Sequence, residues 1–421
     1  MPINSFSNHQ ITRALSMEAK FKPDFPTVTV SEGKVQIVAP DLKAYGVCPS
    51  DYAPSKAPVF YNPVMEFNRD LTVLAFQAYQ RMVNREITVC EPLTATGIRG
   101  LRFAAEIQCV KSVISSDINM QSVKLAAHNI TLNNLQDRVT VKHKDANRLL
   151  SEHSAPKKRF DVIDIDPFGT PVPHLDAAVQ ALRNNGFFAA TATDMAPLCG
   201  VHAKACIRKY GGKPLRTEYC HELAVRFLAS AIATTAAKHD IGVHILFSHC
   251  SEHYIRVYAQ IGYGCQRADE SLRNIGFILH CFKCLHRETA AKPFPDAAAK
   301  CPECGAKMDY AGPLWTGTLF NAKFIESMAA ENAQRAFRNS GKITKLLTLT
   351  RAEADAPATY YVLDKLSGKF GLPAPAVAPF LQAIREAGFK SVQTHFSSRG
   401  IRTDAPASVM QKMLRSLTKA S

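Results

Sequence analysis

Phe160-Asp161-Val162-Ile163-Asp164-Ile165-Asp166-Pro167-Phe168-Gly169 is the stretch on which the fold and the chemistry turn. Its first six residues form a mainly apolar run of the length and composition of a buried strand. The run closes on an acid, a proline, an aromatic and a glycine. That ending suits chemistry on an exocyclic amine of a nucleobase. Such an amine is a poor nucleophile, because its lone pair is delocalised into the ring. A carboxylate and a backbone carbonyl can each accept one of its N–H bonds and draw the nitrogen toward a tetrahedral, reactive form. Proline fixes φ and has no N–H, which helps to aim that carbonyl. The aromatic offers a face on which an extruded base can stack. The same four residues also suit an ordinary turn after a strand, so the surrounding sequence has to choose.

Around this segment, strand and helix patterns alternate from residue 87 onward. Strands are predicted over 87–93, 110–116, 139–143, 160–165 and 186–193, and helices over 98–107, 120–132, 175–182 and about 217–238. Residues 243–248 and 254–261 then read as two adjacent antiparallel strands, with 249–253 as the loop between them. Repeated βαβ units predict an α/β, Rossmann-like parallel sheet with helices on both faces and an antiparallel last strand. Ligands of such sheets bind beyond the carboxyl ends of the strands. Glu91, Asp117, Asp145, Asp166 and Asp194 all fall near those ends. Five successive strand-end acids are more than a purely structural sheet places along one edge. Upstream, residues 28–30 and 35–38 flank Ser31-Glu32-Gly33-Lys34 as a β-hairpin. Pro49, Pro54 and Pro58 mark an extended connection to a helix over 64–82.

The first strand–loop–helix reads Val89-Cys90-Glu91-Pro92-Leu93-Thr94-Ala95-Thr96-Gly97-Ile98-Arg99-Gly100. Small residues at Ala95, Gly97 and Gly100 let a cofactor approach the backbone closely. The loop is neither a dinucleotide G-x-G-x-x-G nor a P-loop. Helix amides there suit the carboxylate of an amino-acid-like cofactor; a plain tight turn is the alternative. Asp117 is placed to accept both hydroxyls of a ribose, and Asp145-Ala146 to meet an adenine amino group. Together these favour S-adenosylmethionine over NAD.

Cys281-x-x-Cys284 and Cys301-x-x-Cys304, with 16 residues between the pairs, have the spacing of a zinc ribbon. Four thiolates make a closed, structural zinc site. The remaining cysteines are scattered; Cys90, Cys109, Cys199, Cys206 and Cys220 lie in apolar contexts and read as core residues. His174, His202, His221, His244, His249 and His253 form no metal motif and read as bystanders, with His249 and His253 on a loop surface. From about residue 321 the pattern is helical. Residues 362–366, 371–373 and 377–387 followed by 389–396 and Ser397-Ser398-Arg399-Gly400 then suggest a small helix-turn-helix with a β-wing.

Composition narrows the class. The chain has 421 residues, 46% hydrophobic and 9% aromatic, which is enough for two or three domains and a large core. Lys and Arg number 51 against 36 Asp and Glu, a net charge of +15, which favours a polyanionic partner. Residues 321–421 hold 15 of the basic and 7 of the acidic residues, so a quarter of the chain carries half the excess. There is no apolar leader at the N-terminus and no stretch of membrane-spanning length. Twelve cysteines without an export signal point to free thiols or metal.

In combination these motifs resemble the tRNA (guanine(26)-N2)-dimethyltransferase family in its archaeal and eukaryotic form. The resemblance is carried by Pro58-Val59-Phe60-Tyr61-Asn62-Pro63, Asn68-Arg69-Asp70, Ala95 to Gly100, Asp145-Ala146-Asn147-Arg148 and Asp164 to Gly169. Thr191-Ala192-Thr193-Asp194, Ala196-Pro197-Leu198-Cys199-Gly200 and Thr394-His395-Phe396 extend it. The resemblance implies a class I methyltransferase domain, taken here as 28–262, after an extension over 1–27. It implies a C-terminal tRNA-binding domain over 263–421 that would include the 281–304 ribbon. It implies that Arg69, Arg99, Asp117, Asp145 and Ala146 hold S-adenosylmethionine. It implies that Asp166, Pro167 and Phe168 face a guanine of tRNA, and that the protein acts as a cytoplasmic monomer with no membrane partner. The zinc assignment to Cys281, Cys284, Cys301 and Cys304 follows from spacing alone, since members differ in whether they carry these cysteines. Mono- and dimethylation, and modification of a neighbouring nucleotide, stay open. Three competitors remain: an N6-adenine methyltransferase with a related signature, an RNA-binding protein on an inactive methyltransferase fold, and an NAD-linked enzyme, which the missing glycine pattern disfavours.

Overall fold

The computed structural model describes residues 23–46, 54–292 and 300–419. Most of the extension expected over 1–27, and Pro49, lie outside them. The chain begins with an antiparallel hairpin of β1 (Thr27–Glu32) and β2 (Val35–Pro40). Gly33 makes its turn at φ +55, and a Cβ there would meet Glu106 Oε1 at 2.1 Å. The hairpin is fastened to the body by buried ion pairs. Glu32 accepts two 2.6 Å hydrogen bonds from Arg69 and one of 2.8 Å from Arg102. Arg102 also pairs with Asp70 and Glu106, each at 2.7 Å. Every charge in this cluster has an opposite partner, which is what makes its burial tolerable.

The central sheet holds β3 (Ile87–Glu91), β4 (Val110–Asp117), β5 (Val139–His143), β6 (Phe160–Ile165), β7 (Leu182–Ala192), β8 (Ile241–Ser251) and β9 (Tyr254–Tyr263). Their order is β5-β4-β3-β6-β7-β9-β8. All neighbours run parallel except β9, which is antiparallel to both β7 and β8. This is a Rossmann-like methyltransferase sheet. The chain winds outward from β3 through β4 to β5, then returns to place β6 on the other side of β3. The crevice of such a sheet opens at that reversal, between the loop after β3 and the loop after β6.

The β6 run is wholly buried, as a strand covered on both faces should be. Strand β3 stops at Glu91 because Pro92 has no N–H for the ladder. Two expectations need correcting. First, β8 continues to Ser251 and turns through Glu252-His253, so His249 is a buried strand residue rather than loop surface. Its ring packs on Phe67, Phe247, Tyr254 and Tyr258, and burial holds its pKa well below the usual value. Second, Cys109 is exposed and Cys199 and Cys220 are half-buried, so only Cys90 and Cys206 of the five are core residues.

Beyond β9 the chain forms a three-stranded antiparallel sheet, order β11-β10-β12, from β10 (Ile275–His280), β11 (Arg287–Ala290) and β12 (Asp309–Trp315). Helices Ala322–Ala333 and Ser340–Ala352 return to the main core. The last unit has β13 (Tyr361–Val362), helices Leu363–Phe370 and Val377–Glu386, β14 (Ser391–Gln393), β15 (Gly400–Thr403) and helix Ala407–Lys419, with sheet order β13-β15-β14. That is a helix-turn-helix with a β-wing around its own apolar cluster. No described helix is long and apolar enough to cross a membrane.

A buried ionic junction joins this unit to the large sheet. Arg402 of β15 pairs with Glu222, at the start of helix Cys220–Ala237, at 2.9 Å, and also with Glu353. Glu353 accepts further bonds from Thr394 (2.6 Å) and from the backbone and ring of His395 (2.8 and 2.7 Å). Burial opposes the Glu353 charge, but His395 and Arg402 outweigh it and hold its pKa at about 2. Replacing Arg402 with methionine takes the shared cation from two buried carboxylates, leaving Glu222 to Arg226 and Glu353 to His395. That change is expected to lower stability by about 3–5 kcal/mol, read as a lower denaturant midpoint. A change within the error of the measurement would contradict the junction's role.

Candidate active site and metal centre

The loop after β3 is organised by Glu91. One of its carboxyl oxygens, Oε2, accepts from Thr94 Oγ1 (2.8 Å), the Gly100 amide (3.0 Å) and Ser115 Oγ (3.1 Å). A Cβ on Gly100 would stand 2.8 Å from both Glu91 Oε2 and Ser115 Oγ, so the helix can approach the strand this closely only with glycine there. Burial pushes the Glu91 pKa up to about 8. Glu91 therefore lies beneath the strand-end edge as a largely neutral brace and does not line it.

Asp117 lies on the edge. Its Oδ2 accepts from the Ala95 amide at 2.9 Å and its Oδ1 from the Asn119 amide at 2.8 Å. Both oxygens keep a lone pair free for a ligand hydroxyl. Asn119 in turn donates to the Pro58 carbonyl at 2.9 Å, which draws the 58–63 segment across the mouth. Asp145 is exposed and caps helix Ala146–Glu152 by accepting from the Arg148 amide at 3.0 Å, with Ala146 buried behind it. Asn147 ties this turn to the helix after β6 through the Pro173 carbonyl and His174. Asp194 does not face the crevice as a free acid: Tyr210 (2.6 Å) and Lys209 (3.0 Å) occupy it.

Asp166, Pro167 and Phe168 follow β6 at the reversal point. Phe168 is 69% exposed and meets the ring of Phe60 edge-on at 4.7 Å. Gly169, at φ +75, is pinned to the end of β7 by a reciprocal pair of 2.8 Å bonds with Thr193. The loop is thus fixed at its far end while its aromatic stands in solvent. Asp166 is the partly open member of a buried charge group, its side chain 20% exposed. Arg99 pairs with it directly, and Arg256 lies 3.9 Å away. Burial opposes its charge; the two guanidiniums and a hydrogen bond from Thr191 overcome that and keep its pKa below the ordinary carboxylate range.

The two arginines expected at the cofactor are both buried in ion pairs. Arg99 contacts Asp166, Asp164 (3.5 Å) and Asn68 (2.9 Å). Arg69 is bound to Glu32 and to the Asn62 carbonyl (3.2 Å). Arg69 therefore stands at the 58–63 segment and Arg99 at Asp166. Asp164, two residues before Asp166, bridges Arg99 and Arg256. Thr191 stands in a motif that carries the resemblance but has no role assigned from the sequence, and Arg256 is not singled out there. The available signal was an arginine in the apolar strand 254–261, since a fully buried charge requires partners.

Of the donor groups, Cys281, Cys284, Cys301 and Cys304 lie with their sulfurs within 4.8 Å of one another. Cys281 and Cys304 are 3.5 Å apart and Cys284 and Cys301 3.4 Å, all as free thiols. A tetrahedral Zn–S bond of ~2.3 Å implies sulfur separations of about 3.8 Å, so a small outward adjustment admits the ion. The two turns are alike. Leu285 and Gly305, both left-handed, return their amides to the Cys281 and Cys301 carbonyls at 2.8 Å. The group could hold a structural zinc between β10, β11 and β12. Cys199, Cys220 and His221 form a second cluster, of three donors, with ligand atoms within 4.8 Å of one another.

The family profile of N2,N2-dimethylguanosine tRNA methyltransferases matches residues 33–415. The chain is similar to the tRNA (guanine(26)-N(2))-dimethyltransferase of Methanothermobacter thermautotrophicus, 41% identical over 93% of this chain and 99% of that one. It is also similar to the tRNA (guanine(26)-N(2)/guanine(27)-N(2))-dimethyltransferase of Aquifex aeolicus, 35% identical over 91% and 95%. Among solved structures, Trm1 from Pyrococcus horikoshii in complex with S-adenosyl-L-methionine matches with a TM-score of 0.80 and 32% identity, over 92% of this chain and 99% of that one.

Two measurements follow from the geometry. An acid whose folded pKa is raised contributes stability below its ordinary value of 4.5 and loses that contribution as pH climbs through about 8. Parent protein should therefore lose thermal stability between about pH 5 and about pH 8 more steeply than Glu91→Gln; equal slopes would contradict a buried neutral Glu91. Separately, purified protein should carry about one zinc per chain, and Cys284→Ser should lose both the metal and several degrees of melting temperature. Unchanged zinc content in that variant would contradict the site.

Proposed function

This chain belongs to the N2,N2-dimethylguanosine tRNA methyltransferase family, and on that premise we propose how its residues divide the work of methylating tRNA. The enzyme transfers methyl groups from S-adenosylmethionine to the exocyclic N2 of guanosine 26 of tRNA, giving N2-methyl- and N2,N2-dimethylguanosine. The observation that carries the assignment of roles is the Asp166 corner. A carboxylate whose pKa two guanidiniums lower, a proline carbonyl and an exposed aromatic share one short loop at the sheet's reversal point, beside the strand-end edge.

S-adenosylmethionine supplies an electrophilic methyl on sulfur. Asp117 is placed for its ribose hydroxyls, Asp145 and Ala146 for its adenine, and the helix amides after Gly97 for its carboxylate end. Arg99 and Arg69 act on this edge through what they hold: Arg99 fixes Asp166, and Arg69 fixes the 58–63 segment.

On the substrate side, the target guanine leaves its stack and lies against Phe168, with Phe60 buttressing that ring from behind. Asp166 accepts one N2–H and the Pro167 carbonyl the other. Both bonds pull the nitrogen lone pair out of conjugation and point it toward the methyl. The N–C bond forms as the S–C bond breaks, and N2 then sheds a proton. Because Asp166 stays ionised, its main task is orientation and electrostatic stabilisation of the positive charge growing on N2. The proton can pass by way of Asp166's open face to water. After one transfer a single N–H remains, and the base must rotate or rebind so that one of the two acceptors takes it for the second.

The winged unit and the ribbon supply basic surface for the tRNA backbone. Residues 321–421, with a net charge of +8, make that contact salt-dependent. The domain frame of 28–262 for methyl transfer and 263–421 for tRNA binding is part of this proposal.

The decisive variant is Asp166→Ala. Nucleoside mass spectrometry of unmodified tRNA should show methylation slowed by about 10³-fold or more, with S-adenosylmethionine affinity within about threefold of the parent. Full activity would remove Asp166 from the chemistry, and a matching collapse of cofactor affinity would move it to the cofactor site.

A further inference from the structure

We propose that Arg256 is a positioning residue for methyl transfer, acting through a hydroxyl relay that sets the direction in which the Asp166 carboxylate faces the base; this rests on the assignment of Asp166 made above. Arg256 sits in the interior of β9, fully buried, with an otherwise apolar strand on either side. It lies directly opposite Thr191 of β7 in the antiparallel register. One guanidinium nitrogen, Nη1, donates to Thr191 Oγ1, and the other, Nη2, to Asp164 Oδ1. A hydroxyl that accepts from a cation has its own proton to give, and the carboxylate beside it is Asp166, whose Oδ1 lies 3.9 Å from the same Arg256 nitrogen and whose pKa Thr191 helps to lower. The chain of contacts therefore runs Arg256 to Thr191 to Asp166 and crosses three adjacent strands, β9, β7 and β6.

Asp164 is the second brace. It stands two residues before Asp166 on the same strand face, between the two guanidiniums, taking Arg256 on one oxygen and Arg99 on the other. Below Arg256 the ring of Tyr258 holds the guanidinium at 4.9 Å from its centroid. The result is two cations and two anions in a fixed square. Three of its corners are closed to solvent and the fourth, Asp166, is partly open. A carboxylate fixed on one side by Arg99 and on the other by a strand hydroxyl has little freedom to rotate. Such pre-orientation is worth most where a displacement of ~1 Å costs about 10²-fold in rate.

The square has a pH consequence. The groups facing Asp166 or its partners are Arg99 from helix Ile98–Glu106, Arg256, Tyr254 and Tyr258 from β9, Thr191 from β7, Asp164 from β6 and Glu91 from β3. His249 of β8 lies against Arg256. Of these only the two arginines are cations at neutral pH. Loss of Arg256 leaves one guanidinium for two carboxylates, so Asp166 then resists ionisation as pH falls.

Four variants test the relay: Thr191→Val, Arg256→Gln, Arg256→Lys and the charge-neutral pair Asp164→Asn/Arg256→Gln, with Asp166→Asn as the reference. Single-turnover methylation and S-adenosylmethionine binding are followed across mildly acidic to neutral pH. Thr191→Val, which keeps shape and removes only the hydroxyl, should slow transfer by about 10-fold or more with cofactor affinity unchanged. Arg256→Gln should slow it by about 10²-fold and gain a rise of rate with pH that the parent lacks, while Arg256→Lys recovers part of the rate. If Arg256→Gln fails to fold, the double variant and Thr191→Val give the same reading. Rates within threefold of the parent in Thr191→Val and the double variant, with a parental pH profile, overturn the inference. If Asp166→Asn is inactive in that experiment, the inference alone falls; if Asp166→Asn is fully active, the assignment of Asp166 falls with it.

Discussion

Burial of charge where the carboxyl ends of β6 and β7 meet the amino end of β9 is the constraint on which the rest of the structure depends. A carboxylate that must grip an amine needs to stay ionised, and an interior disfavours that. The chain resolves the conflict by bringing Arg99 and Arg256 to Asp164 and Asp166, from a helix on one side and an antiparallel strand on the other. The antiparallel insertion of β9 is what allows it. An arginine in β9 reaches the strand ends of β6 and β7 because β9 starts at that edge, directly after the turn from β8, with Arg256 as its third residue and in register with Thr191.

The same device recurs away from the site. Glu32 with Arg69 and Arg102 fastens the N-terminal hairpin, and Arg402 with Glu222 and Glu353 fastens the winged unit. Each is a buried, nearly balanced group joining segments far apart in sequence. Such groups add little net stability compared with apolar packing, yet an unbalanced one is costly. They therefore specify which surfaces meet. On the division of work proposed here, that holds the winged unit at a fixed separation from the Asp166 corner.

Much of this was legible in the sequence because local pattern and tertiary role coincide. The β6 run, the strand-end acids and the cysteine spacing each follow from short-range rules: period, turn chemistry and ligand spacing. The Asp-Pro-Phe-Gly loop stood out because its residue types serve one chemistry. What was missed depends on pairings distant in sequence. Glu91 looks like an edge acid and is a buried brace, since only the contact with Ser115 and Gly100 decides its side. His249 looks like loop surface because the strand's true end, at Ser251, is set by pairing with β9. Arg256 carries no local motif at all; its meaning comes from Thr191 and Asp164, 65 and 92 residues away.

The account's central claim is that this corner acts on the 2-amino group of one guanine. The most direct measurement compares two tRNA transcripts, one with guanosine and one with inosine at position 26, incubated with the protein and methyl-labelled S-adenosylmethionine. Inosine differs from guanosine only in lacking that amine. The account predicts label on N2 of guanosine 26 and no label at that position in the inosine transcript. Label carried by inosine 26, or by an adenine in either transcript, would contradict it.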